Sequence, residues 1–281
     1  MQSKVVVITG GTSGIGAVAA EVLADAGARI VLIARDRSRG EAMLTRLRAR
    51  SPGPAHSVHY ADLSSMRETE RVGREIAAAE PRIDVLVNNA GAMFSAKKRT
   101  AEGLERTFAT NHISYFLLTH HLRDRLLAAA PARIVNTASG AHRRAQLDWS
   151  DLQSMQRYSA LQAYSRSKLY NILYTRELAR RLAGTGVTAN CFHPGFVATR
   201  FGDESGGVQS LAFRFLKLFA IAPARGAKTL VYLAMAPGLQ TTTAGYFYQC
   251  RPATPSRQAL DDGAAKRLWA ESARLAGIEG S

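Results

Sequence analysis

Short apolar runs rich in β-branched residues alternate with longer stretches whose apolar positions recur every three or four residues. The alternation starts at the N-terminus. The runs lie at 5–9, 29–34, 57–60, 85–88, 133–137 and 187–192, with a seventh at 245–248. Between them the helical period covers 16–26, 39–49, 65–79, 103–128, 160–183 and 225–235. Strands hydrophobic along their whole length are buried on both faces, and a helix between consecutive strands makes them parallel. Right-handed crossovers then predict an α/β fold: one doubly wound parallel sheet of about seven strands with helices on both faces. No repeat, low-complexity tract or Pro/Gly-rich linker divides the chain, so one domain is expected over 1–281.

Two segments break the rhythm. Residues 141–158 lengthen the connection between the 133–137 strand and the 160–183 helix, and residues 196–222 form a long excursion after Pro194-Gly195. Parallel sheets bind ligands in loops beyond the carboxyl ends of their strands, so both segments are candidates for substrate contact. The second contains Phe196, Phe201, Phe213, Phe215 and Phe219, which suits a lid over a bulky lipophilic substrate. Arg214 and Lys217 among those apolar residues also suit a peripheral membrane contact through 210–222.

Composition narrows the function classes. Two cysteines, Cys191 and Cys250, cannot build a disulfide framework, and no Cys/His cluster has metal-ligand spacing, so no metal site is expected. The first strand begins almost at the initial Met, leaving no room for a signal peptide, and no run of 18 apolar residues occurs; the expectation is a cytoplasmic protein. A net charge of +15 raises nucleic acid and anionic membrane as partners. The basic residues are spread out, however. Their densest cluster, Arg35, Arg37, Arg39, Arg46, Arg48 and Arg50, has no interleaved aromatics, so no specific nucleic-acid partner is expected.

The chemistry lies in three places. Thr9-Gly10-Gly11-Thr12-Ser13-Gly14-Ile15-Gly16 follows the first strand and opens a helix, where glycines allow a tight turn and close approach of backbone to a pyrophosphate. Tyr164 and Lys168 share one helix face, where an ammonium beside the phenol would favour phenolate and bring the tyrosine toward the working range of a general acid/base. Ser139 closes the preceding strand. Together they point to hydride transfer.

With these motifs in hand, the chain resembles the short-chain dehydrogenase/reductase family over nearly its whole length. The Thr-Gly-x3-Gly-x-Gly loop stands at 9–16, Asn-Asn-Ala-Gly at 88–91, the helix asparagine at Asn111, the serine at Ser139, and Tyr-x-x-x-Lys at Tyr164 and Lys168. Pro194-Gly195-Phe196-Val197-Ala198-Thr199 resembles the segment that contacts nicotinamide. The 133–142 and 164–173 stretches and His193-Pro194-Gly195 are most similar to the retinol-dehydrogenase-like branch. The chain departs from it in lacking the N-terminal membrane segment of many animal members, and in having Ala138 where a serine is frequent.

The resemblance implies a Rossmann-type fold and reversible interconversion of alcohol and carbonyl. Tyr164 is then the acid/base, Lys168 holds the ribose and lowers the tyrosine pKa, Ser139 fixes the carbonyl oxygen, and Asn111 holds a relay water. Gly10, Thr12, Ser13, Gly14, Ile15, Gly16, Asn89, Ala90, Gly91, Pro194, Gly195, Val197 and Thr199 are implied to line the cofactor. Asp62 and Leu63 are implied to border the adenine; on its own Asp62 reads as a helix N-cap. The second strand ends in Ala34-Arg35 where an acid would select NAD, and a guanidinium can hold a 2′-phosphate, so NADP(H) is favoured. The family also implies a homodimer or homotetramer paired through helices 103–128 and 160–183. The competing class is a non-catalytic NADP-binding sensor or scaffold. His120, His121, His193 and Cys191 read as packing residues, and Ser165 and Ser167 as facing away from the Tyr164–Lys168 pair.

Overall fold

The computed structural model describes residues 1–195 and 222–278. The strands β1 (Val5–Thr9), β2 (Arg29–Ala34), β3 (Ser57–Tyr60), β4 (Val85–Asn88), β5 (Ala132–Thr137), β6 (Val187–Phe192), β7 (Tyr246–Tyr248) and β8 (Arg251–Pro252) form one sheet. Its order is β3-β2-β1-β4-β5-β6-β7-β8, parallel throughout except for the final antiparallel pair. The order reverses direction between β1 and β4, which opens a crevice at the carboxyl ends of those strands.

Strand side chains feed two cores by alternation. Val5 and Val7 of β1 join one core, while Val6 and Ile8 join the other. On the first face lie α3 (Met66–Ala79), α5 (Ser114–Ala128) and α6 (Ala160–Arg181); on the second lie α1 (Gly14–Asp25), α2 (Arg37–Arg50) and α7 (Pro223–Met235). Helix starts follow local chemistry. Asp36 accepts from the Arg39 N–H to cap α2, and Ser65 accepts from the Glu68 N–H to cap α3. The cap of α3 is therefore Ser65 and not Asp62, whose carboxylate instead closes a turn onto the Ser64 N–H at 2.9 Å.

Three features depart from the pattern-based expectation. The 103–128 helix is broken into α4 (Arg106–Phe108), a π-helical turn (Ala109–Ile113) and α5. The buried Glu105 carboxylate accepts the Thr107 and Phe108 N–H groups and so fixes where the segment starts. An eighth strand, β8, pairs with β7 across a two-residue turn in which Gln249 and Cys250 both have positive φ. Finally, α8 (Asp262–Leu275), capped by Asp261, packs on α6 through a face that includes Ala264, Ala265, Leu268 and Trp269.

Trp269 of α8 meets Phe116 of α5 at 4.9 Å and stacks on Tyr174 of α6 at 5.7 Å between centroids. Leu169, Ile172, Leu173 and Leu178 of α6 are none more than 4% exposed. These leucines are thus buried within the chain, in part against its own C-terminal helix. No helix among the described residues is long and apolar enough to cross a membrane. The greater part of the 196–222 excursion, including Val197, Thr199 and 210–221 of the membrane-contact segment, lies outside the described residues.

Candidate active site

The loop after β1 is shaped by close backbone approach. Gly10 and Gly14 have φ of +65° and +57°. A Cβ on Gly10 would lie 2.9 Å from Ala90 Cα, and one on Gly16 would lie 2.3 Å from the Gly10 carbonyl oxygen. Thr9 ties the loop to the next motif: its Oγ1 accepts from the N–H groups of Asn89 (2.8 Å) and Ala90 (2.9 Å). Asn89 Nδ2 donates back to the carbonyls of Thr9 and Gly10. No side chain caps α1, so the N–H donors of its first turn remain for an anion. Ile15 is buried in the second core, so only its backbone can face a phosphate. The cradle fits a pyrophosphate.

Across the crevice, Lys168 Nζ donates to the Thr137 carbonyl at 3.1 Å and lies 5.6 Å from the Tyr164 ring centroid. A Cβ on Gly91 would come within 3.2 Å of Lys168 Nζ and 3.3 Å of Asn111 Oδ1, so glycine at 91 leaves room for those two groups. Burial governs both titrating groups. It pushes Tyr164 up to about 12, against a hydrogen bond with Ser139 that lowers it. It also pushes the Lys168 ammonium down to about 7. This differs from the expectation that the cation would draw the phenol down: with the ammonium turned to Thr137, desolvation outweighs it.

Asn111 sits in the π turn with both amide N–H groups engaged. Its Oδ1 accepts from the Ala92 N–H, while its Nδ2 donates to the Ala92 carbonyl and to Ser167 Oγ, at 2.8, 2.8 and 2.9 Å. Ser167 also donates to the Tyr164 carbonyl at 2.7 Å. It thus joins Asn111 to the tyrosine's own helix turn, correcting the view that it faces away. The available signal was its position three residues after Tyr164, within reach of that residue's carbonyl.

At the sheet's other end, the Ala61 N–H donates to the Ala34 carbonyl at 3.0 Å, placing Arg35 and Asp62 at neighbouring strand ends. Arg35 is exposed, Arg37 lies over the Tyr60 ring, and Arg46 and Arg50 pair with Glu21 and Asp25 of α1. Leu63 is buried in the first core. Pro194 and Gly195 follow β6, where His193 stacks on Tyr248 at 4.0 Å and accepts the Gly195 N–H on Nδ1. The segment after Ser139 is held from far along the chain: Gln258 accepts the Leu147 N–H and donates to the Ala145 carbonyl, and Arg143 donates to the Thr254 carbonyl. Those partners carried no sequence signal. Among the described residues no cluster of ligating side chains could hold a metal ion.

Comparison with known proteins agrees with this geometry. The family model for short chain dehydrogenases matches residues 4–207. Retinol dehydrogenase 12 of Homo sapiens is 39% identical over 278 residues, covering 99% of this chain and 88% of that protein. Retinol dehydrogenase 13 of Homo sapiens is 38% identical, covering 98% and 85%. Among solved structures, the chain is similar to an uncharacterized protein from Mycobacterium Paratuberculosis, with 32% identity, a TM-score of 0.79, and coverage of 100% and 96%. It is also similar to the Pseudomonas aeruginosa RhlG/NADP active-site complex, at 27% identity, a TM-score of 0.67, and coverage of 88% and 94%.

Proposed function

The chain belongs to the short-chain dehydrogenase family, and on that premise we propose that it is an NADP(H)-dependent reductase of bulky lipophilic ketones or aldehydes. The coarser activity, NAD(P)-dependent interconversion of alcohol and carbonyl, comes with the family. The observation that carries the reading is the Ser139–Tyr164–Lys168 group, with Lys168 buried and Ser139 and Tyr164 half-buried, beside the glycine cradle at the same sheet edge.

The nicotinamide, when bound, supplies the hydride. The chain's own residues handle the proton and the oxygen. Held near 12, the Tyr164 phenol carries its proton at neutral pH and stands ready to donate from Oη to a carbonyl oxygen. Ser139 Oγ, hydrogen-bonded to that phenol, donates to the same oxygen and stabilises charge developing there. Lys168, near 7, exchanges a proton readily at physiological pH and would hold the nicotinamide ribose when the cofactor is bound.

Support for NADP(H) comes from the end of β2. Arg35 is exposed there, and the nearest acid, Asp36, is engaged in capping α2, so it does not stand ready for a ribose hydroxyl. The solved relative RhlG is itself an NADP complex. Support for a lipophilic substrate comes from the relatives' name, retinol dehydrogenase, and from the aromatic 196–222 segment. A cytoplasmic setting is supported by the two unpaired cysteines.

The test is NADPH oxidation with a panel of an aryl ketone, a fatty aldehyde and all-trans-retinal, followed by the variant Ala34→Asp combined with Arg35→Ala. Turnover of at least one lipophilic carbonyl is expected. The double variant should lower NADPH efficiency at least about tenfold, from loss of a charge-assisted bond and gain of a repelling acid, while NADH efficiency falls far less or rises. An equal response to both cofactors would remove Arg35 from the phosphate site.

A further inference from the structure

Ser139 stands just beyond the β5 ladder, whose last bond runs from the Ala138 N–H to the Phe192 carbonyl at 2.8 Å. Its main chain is held instead by His142. The Ser139 carbonyl oxygen lies 2.6 Å from His142 Nδ1, and the opposite ring nitrogen, Nε2, lies 3.1 Å from the backbone nitrogen of Ser256. These partners decide the tautomer. A carbonyl only accepts, so Nδ1 carries the proton; a backbone N–H only donates, so Nε2 presents the lone pair. The ring is 1% exposed and meets Tyr246 edge-on at 5.2 Å between centroids.

We propose that His142 is a positioning residue for Ser139: a neutral imidazole that ties the serine's main chain to the 253–260 segment, so that the C-terminal part of the chain sets where the hydroxyl stands. The proposal rests on reading Ser139 as the group that holds the carbonyl oxygen.

The charge state matters because the tie works in only one. A proton on Nε2 would face the Ser256 N–H and remove that bond. Apart from the Ser139 carbonyl, the groups near the ring oppose such a charge or leave it unpaired. Arg143 is on its own segment, His193 follows β6 and shares Tyr246 with it, and Tyr246 stands on β7. Among the described residues no carboxylate is hydrogen-bonded to it. Burial and Arg143 accordingly hold the imidazole below its ordinary pKa.

The backbone offers a way to cut the tie. Ser256 has φ of −67°, the value proline imposes, and its N–H donates to His142. Ser256→Pro therefore deletes the donor without changing φ, placing its Cδ where the N–H met the ring so that the imidazole must shift away, and Ser256→Ala deletes only the hydroxyl. The first readout is the NMR titration of the His142 ring, assigned with His142→Gln, which needs no substrate. Ser256→Pro should raise the His142 pKa by about one unit, since protonation no longer breaks a bond, and Ser256→Ala should leave it in place. The second readout uses NADPH and whichever carbonyl of the panel is turned over. His142→Leu should lower kcat about tenfold with KM for NADPH within about twofold, and His142→Gln, which keeps one donor and one acceptor, should restore most of it.

The proposal is overturned if Ser256→Pro, with wild-type circular dichroism, leaves the His142 titration unmoved. It is equally overturned if His142→Leu weakens NADPH binding and thermal stability without lowering kcat at saturation. Should the wild type reduce no carbonyl, the proposed function fails, while the titration still decides whether the tie exists.

Discussion

A methyl group added at Gly16 would sit 2.3 Å from the Gly10 carbonyl oxygen, whereas one added at Gly140 would lie 3.8 Å from the His193 ring. These two glycines follow strand ends at the same edge of the sheet, Gly16 in the first turn of α1 after the β1 loop and Gly140 after β5. The first loop is held by exclusion: backbone passes so close to backbone that only hydrogen fits. The second is held by attachment, through bonds from His142, Arg143, Ala145 and Leu147 to Ser256, Thr254 and Gln258, all more than a hundred positions later. A phosphate needs a dense array of N–H donors, which tight backbone supplies. A carbonyl oxygen needs one hydroxyl at one angle, which a loop can supply only if something else holds it still.

The comparison is sharpest at the groups that stand between the loops. Tyr164→Phe removes only the proton-bearing oxygen, so turnover should fall by about 10²- to 10⁴-fold while NADPH affinity, measured by fluorescence titration, stays nearly intact. Retention of more than a tenth of wild-type turnover would sink the acid/base assignment. Exclusion and attachment can then be set against each other. Gly16→Ala should weaken NADPH binding at least about tenfold, because backbone must move to admit the methyl, whereas Gly140→Ala should change neither affinity nor turnover by more than about twofold. Equal damage at the two sites would erase the distinction.

Lys168 tests whether the site is built against stability. Its folded pKa, near 7, lies below the ordinary 10.5, so between those values the unfolded chain binds more protons, and the wild type gains stability as pH rises through that window. Lys168→Met should abolish turnover yet stabilise the protein without added cofactor, by about 1–4 kcal/mol at pH 7. The advantage should shrink toward pH 9. Urea unfolding of both proteins at the two pH values measures it, and a variant less stable than wild type at pH 7 would show that the buried ammonium is favourable where it stands. The smallest effect is expected at the attachment. Gln258→Ala should lower kcat about threefold with KM for NADPH unchanged, the size of losing net hydrogen bonding at a partly exposed position. A wild-type kcat would show that the His142 and Arg143 bonds suffice.

Most strands were readable from the chain because a sheet buried on both faces demands continuous apolar runs, and six of the seven anticipated begin within a residue of the observed start or at it. The seventh, at 245–248, is equally placed to within one residue. The π turn was not readable. It arises where Glu105 fixes the start of the segment and Asn111 is pulled onto Ala92, and both are decided by contacts. β8 is two residues long, and α8, though amphipathic with Leu268 and Trp269 buried beside its alanines, lies beyond the last strand of the expected alternation.

The sequence by itself determined the elements whose physics is local: apolar runs that need burial, glycines where the backbone must pass closely, and a tyrosine and lysine one helical turn apart. From these came the sheet, the crevice and the reacting groups. The tertiary structure alone decided how those groups are held and charged. Ser167 became a support of Asn111, burial and not Lys168 came to set the phenol's pKa, α8 came to cover α6, and Thr254, Ser256 and Gln258 came to hold the Ser139 loop. Desolvation and hydrogen bonding depend on which surfaces meet, and residues more than a hundred positions apart meet only after the chain has folded.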